Sequence, residues 1–425
     1  MQRNHFILLG AWLGLMLPFS ITAAEEEGAT DFASAITSGK ATFSGRYRFE
    51  HVSDDDEPVI PDDPEFVPSK DANASTLRLR LNYRTGQWNG WSGFAEFDHV
   101  FHVLLDDFNS GAGTSPNRGQ YATVADPEGS DLNQLYLDYN AGDAWKFRFG
   151  RQRILLDNQR FVGGVGWRQN EQTYDAFTVN TSAISKTTLS YSYQNNVRRI
   201  FGQTVPAGKA KLDGHLMNAK ISVSESFSVT PYLYLLDYAT AHANSTMTAG
   251  VRLAGNFGTG GGKIMYLAEF ATQSDAGDNP TNYDADYLHV NAAWTAENGM
   301  SVGLGFESLG ADSSAGTAFR TPLATLHAFN GWADQFLSTP GAGLEDLYAT
   351  VKFKAGKWNI TGVYHDFSSE TGGADYGDEI DISAGVALSK RYGLLLKGAF
   401  FGHDSSSPLT KYDTDKLWFM LTASY

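Results

Sequence analysis

A membrane-spanning, antiparallel up-and-down β-barrel of about eighteen strands is the fold class that the sequence predicts. Three observations point to it. Apolar and polar residues alternate with a period of two along most of the chain, the mark of strands with two different faces. Short and long connections between those strands strictly alternate. The composition is rich in aromatic residues (27 Phe, 20 Tyr) and glycine (44) and has no cysteine.

The strands follow in order. In the first, Phe43, Tyr47 and Phe49 oppose Ser44, Arg46, Arg48 and Glu50; in the second, Leu77, Leu79, Leu81 and Tyr83 oppose Arg78, Arg80, Asn82 and Arg84. Later segments keep the rule, as where Leu288, Val290, Ala292 and Trp294 oppose Tyr287, His289 and Asn291. Val229 to Tyr238 is ambiguous, because both of its parities carry apolar residues. Tight links such as Gln87-Trp88-Asn89-Gly90, Gly142-Asp143 and Ala355-Gly356-Lys357 alternate with long polar ones, among them Ser53 to Asn73, Asp106 to Ser130, Asp157 to Gln172 and Gly310 to Gly343. Short periplasmic turns and long extracellular loops have this arrangement in an outer-membrane barrel, whereas a sandwich has Greek-key connections. The last strand places Leu417, Phe419, Leu421, Ala423 and the terminal Tyr425 on one parity. A sheet in lipid cannot leave an edge unpaired, so strand one is expected to close on this strand.

Composition excludes several classes. A formal charge of −16 argues against nucleic acid as a partner. Mean hydropathy is −0.30, and no apolar run of about 18 residues follows the N-terminus, so helical spans are not expected. Residues 1–24 read as a secretory signal, with Arg3 before the apolar Phe6 to Phe19 and a small-residue site at Thr22-Ala23-Ala24. Residues 25–40 then form a short polar periplasmic lead, and residues 41–425 a single barrel domain in a Gram-negative outer membrane. No nucleophile motif accompanies His365-Asp366 or His403-Asp404, and adjacent strand residues point to opposite faces, so no enzyme is expected. Neither a cofactor nor a metal is expected. Acidic runs such as Asp54-Asp55-Asp56-Glu57 and Asp62-Asp63 lack a full Ca²⁺ ligand spacing and read as solvated tips, or as bridges to lipopolysaccharide through divalent ions.

The candidate site centres on Trp145 to Asn170. The strand Trp145-Lys146-Phe147-Arg148-Phe149-Gly150 alternates, and then Arg151 and Arg153 fall on the parity that had been apolar. The link beyond holds Arg160, Phe161, Gly163, Gly164, Gly166, Trp167 and Arg168, a basic, glycine-bearing connection expected to fold inward and narrow a pore. A barrel of this size can hold an aqueous channel. Its lumen would be lined by Arg46, Arg48, Arg78, Arg80, Arg84, Arg148, Arg151, Arg153, Arg160, Arg168 and Arg252, whose permanent charge would favour anions. The alternative is that these arginines pair with carboxylates such as Glu96, Asp98 and Asp138 and only brace the wall.

The run Phe149-Gly150-Arg151-Gln152, continued through Asp157 to Gly163, Trp167 to Asn170 and Tyr174-Asp175, resembles the alginate-export family of outer-membrane proteins. Leu326 to Asp334, inside the longest link, resembles the same family. The resemblance implies an eighteen-stranded monomeric barrel with a basic, loop-constricted pore passing an anionic uronate polymer. Its expected partners are outer-membrane lipid and lipopolysaccharide, an anionic carbohydrate solute, and the barrel-assembly machinery through Tyr425. The competing expectations are a weakly selective general or nutrient-uptake porin, and a plugged surface barrel whose Gly310 to Gly343 loop binds a partner.

Overall fold

The computed structural model describes residues 29–55, 68–409 and 412–425. The expected signal segment, residues 56–67 and their acidic run lie outside the described residues. Thirteen antiparallel strands come first: β1 (Lys40–Asp55), β2 (Ala72–Arg84), β3 (Trp91–Asp107), β4 (Gly129–Ala141), β5 (Trp145–Gln152), β6 (Thr173–Thr181), β7 (Thr187–Arg198), β8 (Lys209–Ser224), β9 (Phe227–Tyr238), β10 (Thr246–Thr259), β11 (Gly262–Asp275), β12 (Asp284–Ala296) and β13 (Ser301–Leu309). A two-residue hairpin, β14 (Ala311–Asp312) with β15 (Thr317–Ala318), sits in the longest loop. Five more strands complete the wall: β16 (Leu344–Ala355), β17 (Trp358–Ser368), β18 (Asp375–Ala387), β19 (Tyr392–His403) and β20 (Asp413–Ser424). Leaving the hairpin aside, each strand pairs with its sequence neighbours, giving one 18-stranded sheet.

Closure is direct. Ser44 lies opposite Ser424 and Asp55 opposite Asp413. Tyr425 continues the ladder, donating its N–H to Phe43 O (2.8 Å) and accepting from Phe43 N (3.0 Å). No backbone edge then faces lipid. Outward positions are apolar and exposed, as Leu135, Leu137, Phe149, Leu304 and Ile382 show, while inward positions are polar and buried.

The lead departs from the polar segment expected. Phe32–Thr37 form a short helix, α1, whose N-cap Asp31 accepts the Ser34 N–H. It packs at the turn-side edge: Gly86 N–H bonds Ala35 O, Tyr83 donates to Ile36 O, and Phe32 meets Trp88 at 6.0 Å. Phe32 and Ile36 remain exposed beside the lipid-facing Tyr83 and Trp91.

The ambiguity of β9 has a physical cause. Tyr232, Tyr234, Leu236 and Tyr238 are buried and face the lumen, and Pro231, Leu233, Leu235 and Asp237 face outward. This lumen wall is apolar because it receives a side chain from an infolded loop: Phe161 lies 5.5 Å from Tyr232 and 5.0 Å from Tyr287, ring centre to ring centre. The barrel interior thus holds a packed apolar core around Val162, Tyr174, Phe319 and Leu323.

Candidate functional site

Two loops fold into the lumen and form a diaphragm. The first joins β5 to β6 and runs across the whole interior. Near its end, Arg46 of β1 donates to Gln169 Oε1 (3.0 Å), to Gly166 O (2.9 Å) and to Arg168 O. Arg48 donates to Trp167 O and to Asp126, and its guanidinium stands 5.0 Å from the Trp167 ring centre. Arg78 donates to Gln169 O at 3.2 Å. On the far wall, Arg160 donates to Glu307 (2.7 Å) and Asn330 Oδ1 (2.9 Å) beside the Phe161 aromatic cluster. Carbonyl oxygens exposed by an irregular segment inside a barrel need donors, and the β1 and β2 arginines supply them.

The second loop, between β13 and β16, meets the first backbone to backbone. Gly163 N–H bonds Leu323 O (2.9 Å) and Thr325 N–H bonds Gln159 O (3.1 Å). Gly163 permits this approach, since a Cβ there would lie 2.8 Å from both Gln159 Cβ and Thr325 Cβ. Beyond the contact, Trp332 N–H bonds Asp381 (3.2 Å), Ala333 N–H bonds Glu379 (2.7 Å) and Asp334 pairs with Lys416 (3.1 Å). The longest loop is therefore an interior brace for the first.

The tight bends fall on unexpected residues. Gly163, Gly164 and Gly166 keep ordinary φ values; Asp157, Gln159, Val165, Asn330 and Asp334 take the left-handed region instead. Five of the eight such non-glycine residues among those described lie in these two loops. At roughly 1–2 kcal/mol each, this strain persists because the surrounding bonds over-determine the path.

The expected arginines separate into distinct groups. Arg46, Arg48, Arg78, Arg80, Arg160 and Arg168 are brought together in the lumen but sealed against the loops rather than facing water, and Arg153 beside them is partly exposed. Nearly all have carboxylate partners. Arg80 binds Asp98 at 2.6 Å and Glu171 at 2.9 Å; Arg168 binds Glu50 at 3.0 Å and Asp334 at 3.2 Å; Arg78 and Arg153 share Glu171. Burial pushes the Glu171 carboxyl up, but Arg153, Arg80 and Arg78 outweigh it and hold it well below the usual carboxylate range. Arg84 and Arg148 converge on Asp138 nearer the turns, and Arg252 pairs with Glu269 at 2.6 Å on another part of the wall. Arg151 is a correction: it stays on the outer face, in register with lipid-facing Phe149, and donates to Asp175 at 2.8 Å. The alternation that ends at Phe149 simply extends one step further, and only Arg153, beyond the strand, turns inward. Gly166 lies in the infolded loop, its carbonyl held by Arg46 (2.9 Å), and a Cβ there would meet nothing within 4 Å.

The diaphragm also contains a group that the pattern of arginines did not reveal. Lys397 of β19 stands 3.7 Å from the Trp332 ring centre, 4.3 Å from Trp167 and 5.2 Å from Trp418. Its ammonium donates to His327 Nε2 (2.6 Å), while His327 Nδ1 donates to Asp334 (2.8 Å) and the imidazole stacks on Trp167 at 4.5 Å. Both loops and two wall strands meet at this one cation, held by indole faces as well as by charge.

A cavity lies on each side. The loop-side cavity has a volume of about 1000 Å³ and is bordered by His327 and Asp334; the turn-side cavity, about 1440 Å³, is bordered by Asn330 and Trp332. Arg199 and Arg320 line the first, and Lys186, Lys220, Lys263 and Lys352 the second. None of these six makes an ion pair within the described residues. Lys220 and Lys352 lie on the inward parity of β8 and β16, whereas the other four lie in links or beside them.

Residues 100–307 match the family described as alginate export, the one that the motifs resemble. A search of curated protein sequences finds no match. Among solved structures, OccK1 (OpdK) of Pseudomonas aeruginosa superposes with a TM-score of 0.69 at 10% identity, covering 92% of this chain and 99% of that one. OccAB2 of Acinetobacter baumannii gives 0.69 at 13% identity, again with 92% and 99% covered. OccK3 (OpdO) of Pseudomonas aeruginosa gives 0.67 at 10%, with 92% and 97% covered. The likeness is one of architecture, an 18-stranded closed antiparallel β-barrel.

Proposed function

We propose that this outer-membrane channel passes anionic solutes, with acidic oligo- or polysaccharide as the class that fits best, by passive diffusion past the two-loop diaphragm. The observation that carries the reading is where the unpaired cations lie. The diaphragm arginines are matched by carboxylates, whereas Arg199 and Arg320 on one side and Lys186, Lys220, Lys263 and Lys352 on the other are free to act on a solute. Of the acids Glu225, Glu297, Glu307 and Asp346 that border the turn-side cavity, Glu307 and Asp346 are engaged by Arg160 and His365, which leaves the four lysines in excess over Glu225 and Glu297. Unpaired lysines on a low-dielectric wall draw in anions. Phe329, Trp332 and Tyr348 line the same cavity and offer flat apolar faces suited to sugar rings.

A weakly selective porin is the second reading, favoured by the neutralisation of the arginine cluster. Single-channel currents across a salt gradient decide between them. The proposal expects a reversal potential of anionic sign and block by added oligouronates. A current with cation preference, or one indifferent to uronates, would assign the general porin.

A further inference from the structure

The outer wall sorts its charges by sector. At the loop-side ends of β5 to β8, Arg151, Arg198, Lys209 and Lys211 face away from the lumen. Strand register sets Arg198 opposite Lys209 and Asn196 opposite Lys211, and places Arg151 beside Asp175. Asp175 is shared, accepting from Arg151 Nε (2.8 Å), Asn196 Nδ2 (2.8 Å) and Arg198 Nε (3.4 Å). Each guanidinium is thereby fixed by its Nε edge, with Arg151 Nη1 on Leu132 O (2.8 Å) and Arg198 Nη1 on Gln203 (3.3 Å). The Nη2 group of each donates no hydrogen bond within the described residues. Lys209 and Lys211 are exposed and make no ion pair there. At similar height elsewhere, the outward residues are acids: Asp284 and Asp286 on β12, Asp366 on β17, Asp378 on β18 and Asp415 on β20.

We propose that this basic sector binds the phosphorylated headgroup of an outer-leaflet lipid. The position selects the partner. Directly turnward on the same strands stand Phe149, Phe177, Tyr193 and Met217, exposed and apolar, where acyl chains lie. A ligand spanning both zones carries negative charge at headgroup height and hydrocarbon below it. Two arginines held at fixed spacing by one carboxylate offer planar donors to phosphate oxygens, and two free lysines add charge without a competing internal partner. Four cations against Asp131, Asp175 and the outward Asp213 of β8 leave the sector net positive by one charge, while the acidic sectors repel the same headgroup. A soluble anion would gain nothing from the apolar strip. The proposal rests on the outer-membrane placement and not on which solute passes.

The test uses the full barrel in detergent and compares retention of a bis-phosphorylated lipid A with its dephosphorylated form by native mass spectrometry. The wild type is expected to prefer the phosphorylated lipid by about tenfold or more, and Lys209→Glu with Lys211→Glu to remove that preference. The pair Asp366→Asn with Asp378→Asn, on the acidic sector, is the control and should retain it. Equal binding of both lipids would leave only the apolar belt and overturn the proposal, as would an unchanged preference in the lysine pair. Full displacement by millimolar inorganic phosphate would also overturn it, by assigning a soluble-anion site. Single-channel conductance of the lysine pair should match wild type. A wild-type barrel that prefers the phosphorylated lipid yet carries no current would count against the channel reading alone.

Discussion

Lys397 and His327 concentrate the chemistry of the diaphragm into one contact. Burial lowers the His327 pKa first, and the facing Lys397 ammonium and nearby Arg168 add to it against the pull of Asp334, giving about 3 from an ordinary 6.5. A group whose pKa is depressed by docking stabilises the docked state fully above 6.5 and loses that contribution as pH falls towards 3. Each pH unit within this window weakens docking by up to about 1.4 kcal/mol. Asp334 and Glu171 are held well below the carboxylate range, so they stay ionised across most of it. Open probability should therefore rise as pH is lowered from about 7 to 5. His327→Gln should flatten that response, and a pH profile identical to wild type would remove His327 from the latch. Lys397→Met keeps the stem among the indoles but deletes the charge. Its expected effects are a lower melting temperature, from lost contacts to the three indole faces worth about 0.5–2 kcal/mol each, and a pH response displaced upward.

At the scale of elements, the loop after β5 owes its path to both ends. Its arginine-held end on β1 and β2 is polar; its Phe161 end on β9 and β12 is apolar. Deleting Phe161 to Gly166 should at least double conductance. A conductance that does not change would leave the narrowing to Leu326–Asp334 alone. Gly163→Ala should separate the two loops, because its Cβ would meet the Thr325 backbone N at 3.0 Å, whereas Gly166→Ala enters open space. Protease sensitivity of the loop in folded barrels reads the difference: raised for the first and unchanged for the second. The inward fold of this loop was legible from its arginines and glycines. The partners were not, because Asp126, Glu307 and Asp334 lie far away in sequence and nothing local marks them.

For the molecule as a whole, selectivity should follow the unpaired cations. Reversing Lys220, Lys263 and Lys352 to Glu should move the reversal potential towards cations, while Arg151→Gln on the outer wall should leave it in place. A shift from Arg151→Gln, with none from the lysines, would reverse the assignment of lumen and exterior charges. The contrast is also a lesson in parity. Counting by two already put Arg151 with Phe149, but the density of arginines around it suggested a lumen role.

The sequence by itself determined the barrel, its closure, the alternation of turns and loops, and the inward fold of the link after β5, though not that of the longest loop. Those features follow from local rules: a side-chain period of two, and the need of every backbone group in lipid to find a partner. Only the tertiary structure decided which charges remain free. Whether an arginine attracts a solute or braces a wall depends on a carboxylate within a few ångströms. Some of these carboxylates come from strands and loops a hundred or more residues away, as Glu50 does for Arg168 and Glu307 for Arg160. The same reason hid the tryptophan cage of Lys397: four elements build it, and no one of them carries its pattern.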